Sequence, residues 1–165
     1  MVKLETSQGS IELRLDATAA PKTVENFLQY VRDGHYDNTV FHRVISGFMV
    51  QGGGFAPGMQ QKKTRETIAN EADNGLKNEH YSVAMARTND PHSASAQFFI
   101  NIADNDFLNF RSADAEGFGY CVFGKVVSGF DVVDKIAGTR TGTKGFHRDV
   151  PVADVVLVKA TETPD

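Results

Sequence analysis

The chain has 165 residues, 41% of them hydrophobic, enough for one domain with a real core. A formal net charge of −4 argues against a nucleic-acid-binding domain, which carries a basic face, and the single cysteine, Cys121, excludes an intramolecular disulfide framework. The N-terminal M-V-K-L-E-T-S-Q-G-S lacks an apolar signal core and no run approaches membrane-spanning length, so the chain reads as a soluble protein of a reducing compartment.

Val2 to Thr6 and Ile11 to Leu15 alternate apolar and polar residues on either side of Ser7-Gln8-Gly9-Ser10, which predicts a hairpin with one buried face. A helix follows. Pro21 suits its first turn, Glu25 lies near its positive end, Arg32 falls in its last turn and Gly34 can end it. Val24, Phe27, Leu28 and Val31 at i, i+3, i+4 and i+7 form one apolar stripe. Val40 to Gly54, V-F-H-R-V-I-S-G-F-M-V-Q-G-G-G, reads as two more strands around a turn at Ser46-Gly47. Phe55 to His80 is polar and exceeds the roughly 12–15 residues beyond which structureless loops become uncommon, so it is functional, disordered or hiding short elements. Tyr81 to Ala86, Gln97 to Ile102 and Tyr120 to Val127 are strand-like, with a short apolar knot at Phe107-Leu108-Asn109-Phe110. A second helix starts at Ser128, with Ser128 and Asp131 in capping-box-like spacing, apolar Val132, Val133 and Ile136, and Gly138 as a stop. After a glycine- and threonine-rich loop, Val155 to Val158 gives the last strand. About eight strands and two helices, with no helix after each strand, exclude a doubly wound α/β pattern and favour an antiparallel barrel or sandwich.

Chemistry is sparse. Gly52-Gly53-Gly54 and the Gly138 to Lys144 loop do not complete a phosphate-binding pattern, and no serine sits in a nucleophile elbow. His35, His42, His80, His92 and His147 show no metal spacing, and Cys121 reads as a packed thiol in an apolar strand. His42 reads as a structural, hydrogen-bonded residue whose side chain points away from that of its neighbour Arg43. Arg43 poses the real question, because it stands in otherwise apolar strand sequence and arginine is rarely buried without a partner. A three-residue loop Ser46-Gly47-Phe48 would oppose Arg43 to Gln51 and put Arg43, Met49 and Gln51 on one face; a two-residue turn would send Gln51 to the other face. Spacing alone leaves both registers open and reads Arg43 as solvent-facing.

The order of motifs goes further. F-H-R-V-I-S-G-F-M-V-Q-G-G at Phe41 to Gly53 resembles the signature of the cyclophilins, peptidyl-prolyl cis–trans isomerases. M-A-R-T at Met85 to Thr88, S-A-Q-F-F-I-N at Ser95 to Asn101, D-F-L-N at Asp106 to Asn109 and Y-C-V-F-G-K-V at Tyr120 to Val126 resemble successive family motifs, and the small bacterial cytoplasmic members are the most similar group. The resemblance covers nearly the whole chain. It implies one domain, an eight-stranded antiparallel closed β-barrel capped by two α-helices, and a cytoplasmic monomer. It also implies rotation about X–Pro bonds of proline-containing peptides and of unfolded or folding proteins, without cofactor or metal.

By resemblance the essential arginine is Arg43, and the proline pocket is Phe48, Met49, Phe99 and Leu108. Gln51 supports the arginine and the substrate backbone. Ala86, Arg87 and Thr88 form the edge along which an extended substrate lies, and Gln97 is a further groove residue. Phe107 stands where eukaryotic members carry a tryptophan, and Tyr120 where they carry a histidine at the pocket rim. The missing indole N–H implies at most weak binding of cyclosporin, an inhibitor that hydrogen-bonds to it. A binding module without turnover would lack Arg43 or the pocket aromatics, and all are present.

Overall fold

In a computed structural model, which describes residues 1–164, the elements in chain order are β1 (Val2–Thr6), β2 (Gly9–Leu15), α1 (Pro21–Arg32), β3 (Thr39–Val40), β4 (Arg43–Ile45), β5 (Met49–Gly52), β6 (Phe55–Ala56) and β7 (Gln60–Gln61). They continue with β8 (Ser82–Met85), β9 (Phe98–Asn101), a 3₁₀ turn (Asp106–Leu108), β10 (Val122–Ser128), α2 (Phe130–Ala137), β11 (Thr141–Lys144), β12 (His147–Pro151) and β13 (Val156–Glu162). Nine strands form one antiparallel sheet in the order β3-β13-β1-β2-β10-β8-β9-β5-β4, and β6-β7 and β11-β12 are separate hairpins.

The two edges of the large sheet, β3 and β4, are separated in the chain only by Phe41 and His42, so the sheet must curl back on itself. No ladder joins them, and the barrel is not fully closed, which corrects the closed eight-stranded expectation. The cause is a change of partner. Thr39 and Val40 pair with β13 and the Phe41 N–H donates to Val155 O at 3.0 Å, whereas from Arg43 onward the chain pairs with β5.

Inside the curl lies the main core. Strand alternation sends Val2, Leu4, Ile11, Leu13, Val83, Phe98, Ile100 and Phe123 inward. Phe27 of α1 is its hub, with ring centroids 5.1 Å from Tyr36, 5.4 Å from Phe98 and 5.1 Å from Phe123. The Tyr36 hydroxyl avoids the cost of burial by donating to Ala96 O at 2.7 Å. Val24, Phe27 and Val31 are buried and Leu28 packs at the margin, as the helical stripe predicts.

Other local expectations need correction. Glu25 lies near the start of α1 but beyond its first turn, which carries no acid; the Thr23 N–H and Oγ1 donate to Glu71 Oε1, both at 2.7 Å, so this helix end is satisfied by a residue remote in sequence. Helix α2 starts at Phe130 behind Gly129 and has no side-chain cap; Ser128 is still in β10. The Phe55–His80 segment hides β6, β7 and a bridge between Ile68 and Ala94, and the loop after α2 forms the β11–β12 hairpin.

Phe27→Ala should remove three ring contacts and leave a cavity, costing about 3–5 kcal/mol of unfolding free energy in urea titration. A loss below about 1 kcal/mol would contradict its place as the hub.

Candidate active site on the outer face of the sheet

The site lies on the convex side of the sheet, where alternation puts every second residue outside the main core. In β9, Phe98 and Ile100 point inward while Phe99 joins a second apolar cluster with Met49, Ala84, Leu108 and Val122. The β4–β5 ladder pairs Arg43 with Gln51, Val44 with Val50 and Ile45 with Met49, so the loop is the three-residue Ser46-Gly47-Phe48. The Phe48 N–H donates to Ile45 O at 3.0 Å across this loop, and Gly47, at φ +75°, takes the turn position that requires a positive φ. That register places Arg43, Met49 and Gln51 on one face.

Nine of the twelve candidate residues line a cavity of about 110 Å³: Arg43, Phe48, Met49, Gln51, Ala86, Arg87, Phe99, Leu108 and Tyr120. Thr88 and Gln97 line an adjoining basin of about 230 Å³ that shares Gln51, Ala86 and Arg87 with the first. Phe107 lines neither; it is 66% exposed and stacks on Phe48 with centroids 5.7 Å apart, extending the aromatic rim. Tyr120 stands edge-on to Phe99 at 5.8 Å. Arg43 is exposed at the mouth and forms no hydrogen bond or ion pair with any described residue. The Gln51 amide donates to Gln97 Oε1 at 2.9 Å, bracing the floor between the two cavities rather than bonding Arg43. A larger open groove of about 830 Å³ over β2 and β10 contains none of the candidate residues.

The outer layer is tied to the sheet by a buried amide network that sequence reasoning missed. Asn101 donates to Asn78 Oδ1 at 3.0 Å and to Ser82 Oγ at 2.9 Å, and Asn105 donates to Asn101 Oδ1 at 2.8 Å and to Phe48 O at 2.9 Å. Asn78 in turn donates to Leu108 O and Tyr120 O, both at 3.2 Å. Three asparagines thus hold Phe48, Leu108 and Tyr120 in place. The signal available was Asn101, a polar residue in period with Phe99 on a strand rich in phenylalanine. Gly119 belongs to the same arrangement: a Cβ there would meet Leu108 O at 2.7 Å, and the Tyr120 N–H bonds that same carbonyl at 2.9 Å.

His42 is packed as expected, but the expected hydrogen bond is missing: its ring hydrogen-bonds no described residue. It is 7% exposed, its ring lies 4.5 Å from that of Phe55, and Nδ1 has no partner among the described residues. Burial, then His147 and Arg43, push its pKa down to about 4. Burial likewise raises the Cys121 thiol to about 11, so this side chain is no nucleophile. Among the described residues, no group of three or more His, Cys, Asp or Glu could hold a metal ion. No helix is long and apolar enough to cross a membrane.

The family model for "Cyclophilin type peptidyl-prolyl cis-trans isomerase/CLD" matches residues 1–162. The chain is a cyclophilin. It is 64% identical over 159 residues to peptidyl-prolyl cis-trans isomerase cyp18 of Streptomyces antibioticus, covering 96% of each chain. To peptidyl-prolyl cis-trans isomerase B of Escherichia coli it is 59% identical over 161 residues, covering 98% of each. A crystal structure of a Cryptosporidium parvum cyclophilin, obtained in the presence of the dipeptide Ala-Pro, matches with a TM-score of 0.80 at 24% identity over 99% of both chains, a likeness of fold. As in those bacterial relatives, the activity of this cyclophilin is peptidyl-prolyl cis–trans isomerisation.

The lowered His42 pKa has a consequence for stability. The folded state keeps the ring neutral, so between pH 6.5 and about 4 the unfolded chain binds the extra proton. This contribution is complete above pH 6.5 and is lost as pH falls toward 4, by at most about 3 kcal/mol. His42→Gln should flatten the pH dependence of unfolding free energy in that window; an unchanged slope would contradict the assignment.

Proposed function

We propose that this cyclophilin isomerises X–Pro bonds of unfolded or folding proteins by gripping the proline ring in the 110 Å³ outer-face cavity and donating a hydrogen bond from Arg43 to the twisted amide. The single observation that carries this reading is the placement of an unpaired guanidinium at the mouth of a small pocket walled by Phe48, Met49, Phe99 and Leu108.

The uncatalysed rotation faces a barrier of about 18–20 kcal/mol and takes tens to hundreds of seconds. The barrier comes from resonance between the prolyl nitrogen lone pair and the carbonyl. Halfway through rotation the lone pair localises on nitrogen and can accept a hydrogen bond, which the always-charged guanidinium supplies. No covalent bond breaks, so neither nucleophile nor cofactor is needed. A charge-assisted hydrogen bond contributes about 1.5–3 kcal/mol, roughly one to two decades of rate. The remainder comes from tighter binding of the twisted amide than of either planar isomer: the apolar walls fix the ring while the main chain at Ala86–Thr88 holds the flanking peptide. At that edge the Ala86 N–H is used by Gln97 O at 3.0 Å and the Thr88 N–H by Ser93 Oγ at 2.9 Å, whereas the N–H and C=O of Arg87 meet no partner among the described residues. That pattern suits an added extended strand.

The same reading makes the protein a folding assistant, acting as a monomer in the cytoplasm, where the unpaired buried thiol of Cys121 suits a reducing environment.

Arg43→Ala should lower kcat/KM on an X-Pro-Phe peptide at least about tenfold while leaving the unfolding transition intact. Near-wild-type turnover would contradict the assignment. Cyclosporin should bind weakly, because Phe107 presents a ring with no N–H donor; a nanomolar Kd by calorimetry would overturn that expectation.

A further inference from the structure

The proline cavity and the adjoining basin share Arg87, whose side chain no step of the proposed mechanism uses. It is half-buried and held on three sides: Nε donates to Gly119 O at 2.9 Å, Nη1 to Thr88 O at 2.8 Å and Nη2 to Ala115 O at 3.4 Å. Its guanidinium carbon lies 4.6 Å over the Tyr120 ring. Three of its five N–H donors are therefore occupied by neutral carbonyls, and two remain. Among the described residues it has no carboxylate partner. Of the acids near it in the chain, Asp90 accepts from the His92 N–H and Asp114 from the Gly117 N–H and the Ser112 hydroxyl, and Glu116 forms no ion pair with it.

Charge is distributed unevenly as a result. The chain as a whole carries −4, yet neither cavity has an acidic residue in its wall, and the walls hold two arginines without a carboxylate partner among the described residues, Arg43 and Arg87. A partly buried cation without a counter-ion is an electrostatic vacancy that a ligand of opposite charge fills favourably. The geometry also says where that charge sits on a peptide. In an extended strand, side chains two positions apart point to the same face. Such side chains stand about 7 Å apart, and the two cavities share Gln51, Ala86 and Arg87, so a peptide with its proline ring in the first can place the side chain two residues away in the second.

We propose that Arg87 makes the basin a selectivity site for a carboxylate side chain, Asp or Glu, two residues from the substrate proline. Arg87 is a specificity residue here, acting on which X–Pro segments are turned over, and the proposal rests on the isomerase reading of the outer-face pocket. The neutral carbonyls that hold the guanidinium orient it without cancelling its charge. The basin's other polar lining, Gln51, Gln61, Thr88, Ser93, Ser95 and Gln97, is neutral; the Thr88 and Ser93 hydroxyls already donate to Ser93 Oγ and Asp90 O, so further donors to the carboxylate are the side-chain amides of Gln51, Gln61 and Gln97 and the Ser95 hydroxyl.

The test is a set of proline peptides differing only in Glu, Gln or Lys two residues before, or two residues after, the proline, assayed at low ionic strength. In the wild-type protein, the Glu peptide of one series should exceed its Lys counterpart in kcat/KM by about fivefold, and 0.5 M salt should shrink the ratio. Arg87→Gln should bring the ratio near one, and Arg87→Glu should invert it. Should Arg87→Gln fail to fold, Arg87→Lys and the salt dependence of the wild type decide, with the preference retained in the first and screened in the second. A wild-type ratio of one in both series, or a ratio unchanged in Arg87→Gln, would overturn the proposal. Absence of turnover for every peptide, the neutral Gln peptides included, would instead refute the isomerase reading beneath it.

Discussion

The pairing of β4 with β5 is the constraint on which the site depends. The Ser46-Gly47-Phe48 loop sets Arg43 opposite Gln51, and a strand's side chains alternate strictly, so a slip of one residue would send Arg43 into the main core and Val44 to the surface. Burying an unpaired guanidinium there would be costly, whereas Val44 gains by being buried, so the hydrophobic pattern and the proposed role of Arg43 call for the same register. Gly47 makes the loop possible and Val44 with Val50 makes it favourable.

The sheet is buried on both faces at this point, which is unusual for an antiparallel sheet, where one face commonly meets water. Phe98 and Ile100 pack inward while Phe99 packs outward beneath Leu108 and Tyr120. The outer layer is short and mostly irregular, and it cannot be held by apolar contact alone. Asn78, Asn101 and Asn105 tie it down: Asn105 adds a bond to Phe48 O and Asn78 adds bonds to Leu108 O and Tyr120 O, two of which carbonyls also accept a backbone N–H. On the proposed mechanism the pocket needs rigid walls to favour the twisted amide, and a fully bonded buried network supplies them.

The sequence made the regular part of this legible and the irregular part opaque, for physical reasons. The alternation at β1, the stripe Val24-Phe27-Val31 and the apolar strands β8 to β10 are local signals, and each is found where local periodicity puts it. Helix α1 is different at its start, because its free N–H groups are met by Glu71, too distant in sequence for any capping rule to find. The β11–β12 hairpin has no apolar alternation and read as loop. On spacing alone Arg43 looked like an ordinary surface residue, since two loop lengths were open; only the succession of motifs through Phe99, Leu108 and Tyr120 singled it out. The asparagine network stayed hidden because buried amides and exposed ones look alike in a sequence. His42 is buried and packed as the sequence led one to expect, but the hydrogen bond expected of it is absent among the described residues.

The central claim is that one outer-face pocket both binds the proline and speeds its rotation. Exchange spectroscopy of an X-Pro peptide with a substoichiometric amount of the ¹⁵N-labelled protein tests both halves in one sample. The account predicts accelerated cis–trans exchange cross-peaks, together with amide shift changes concentrated at 48–51, 86–88, 97–101, 107–109 and 119–121 when the peptide is raised to saturation. Accelerated exchange with shifts centred elsewhere, or binding at these residues with exchange no faster than in free peptide, would contradict it.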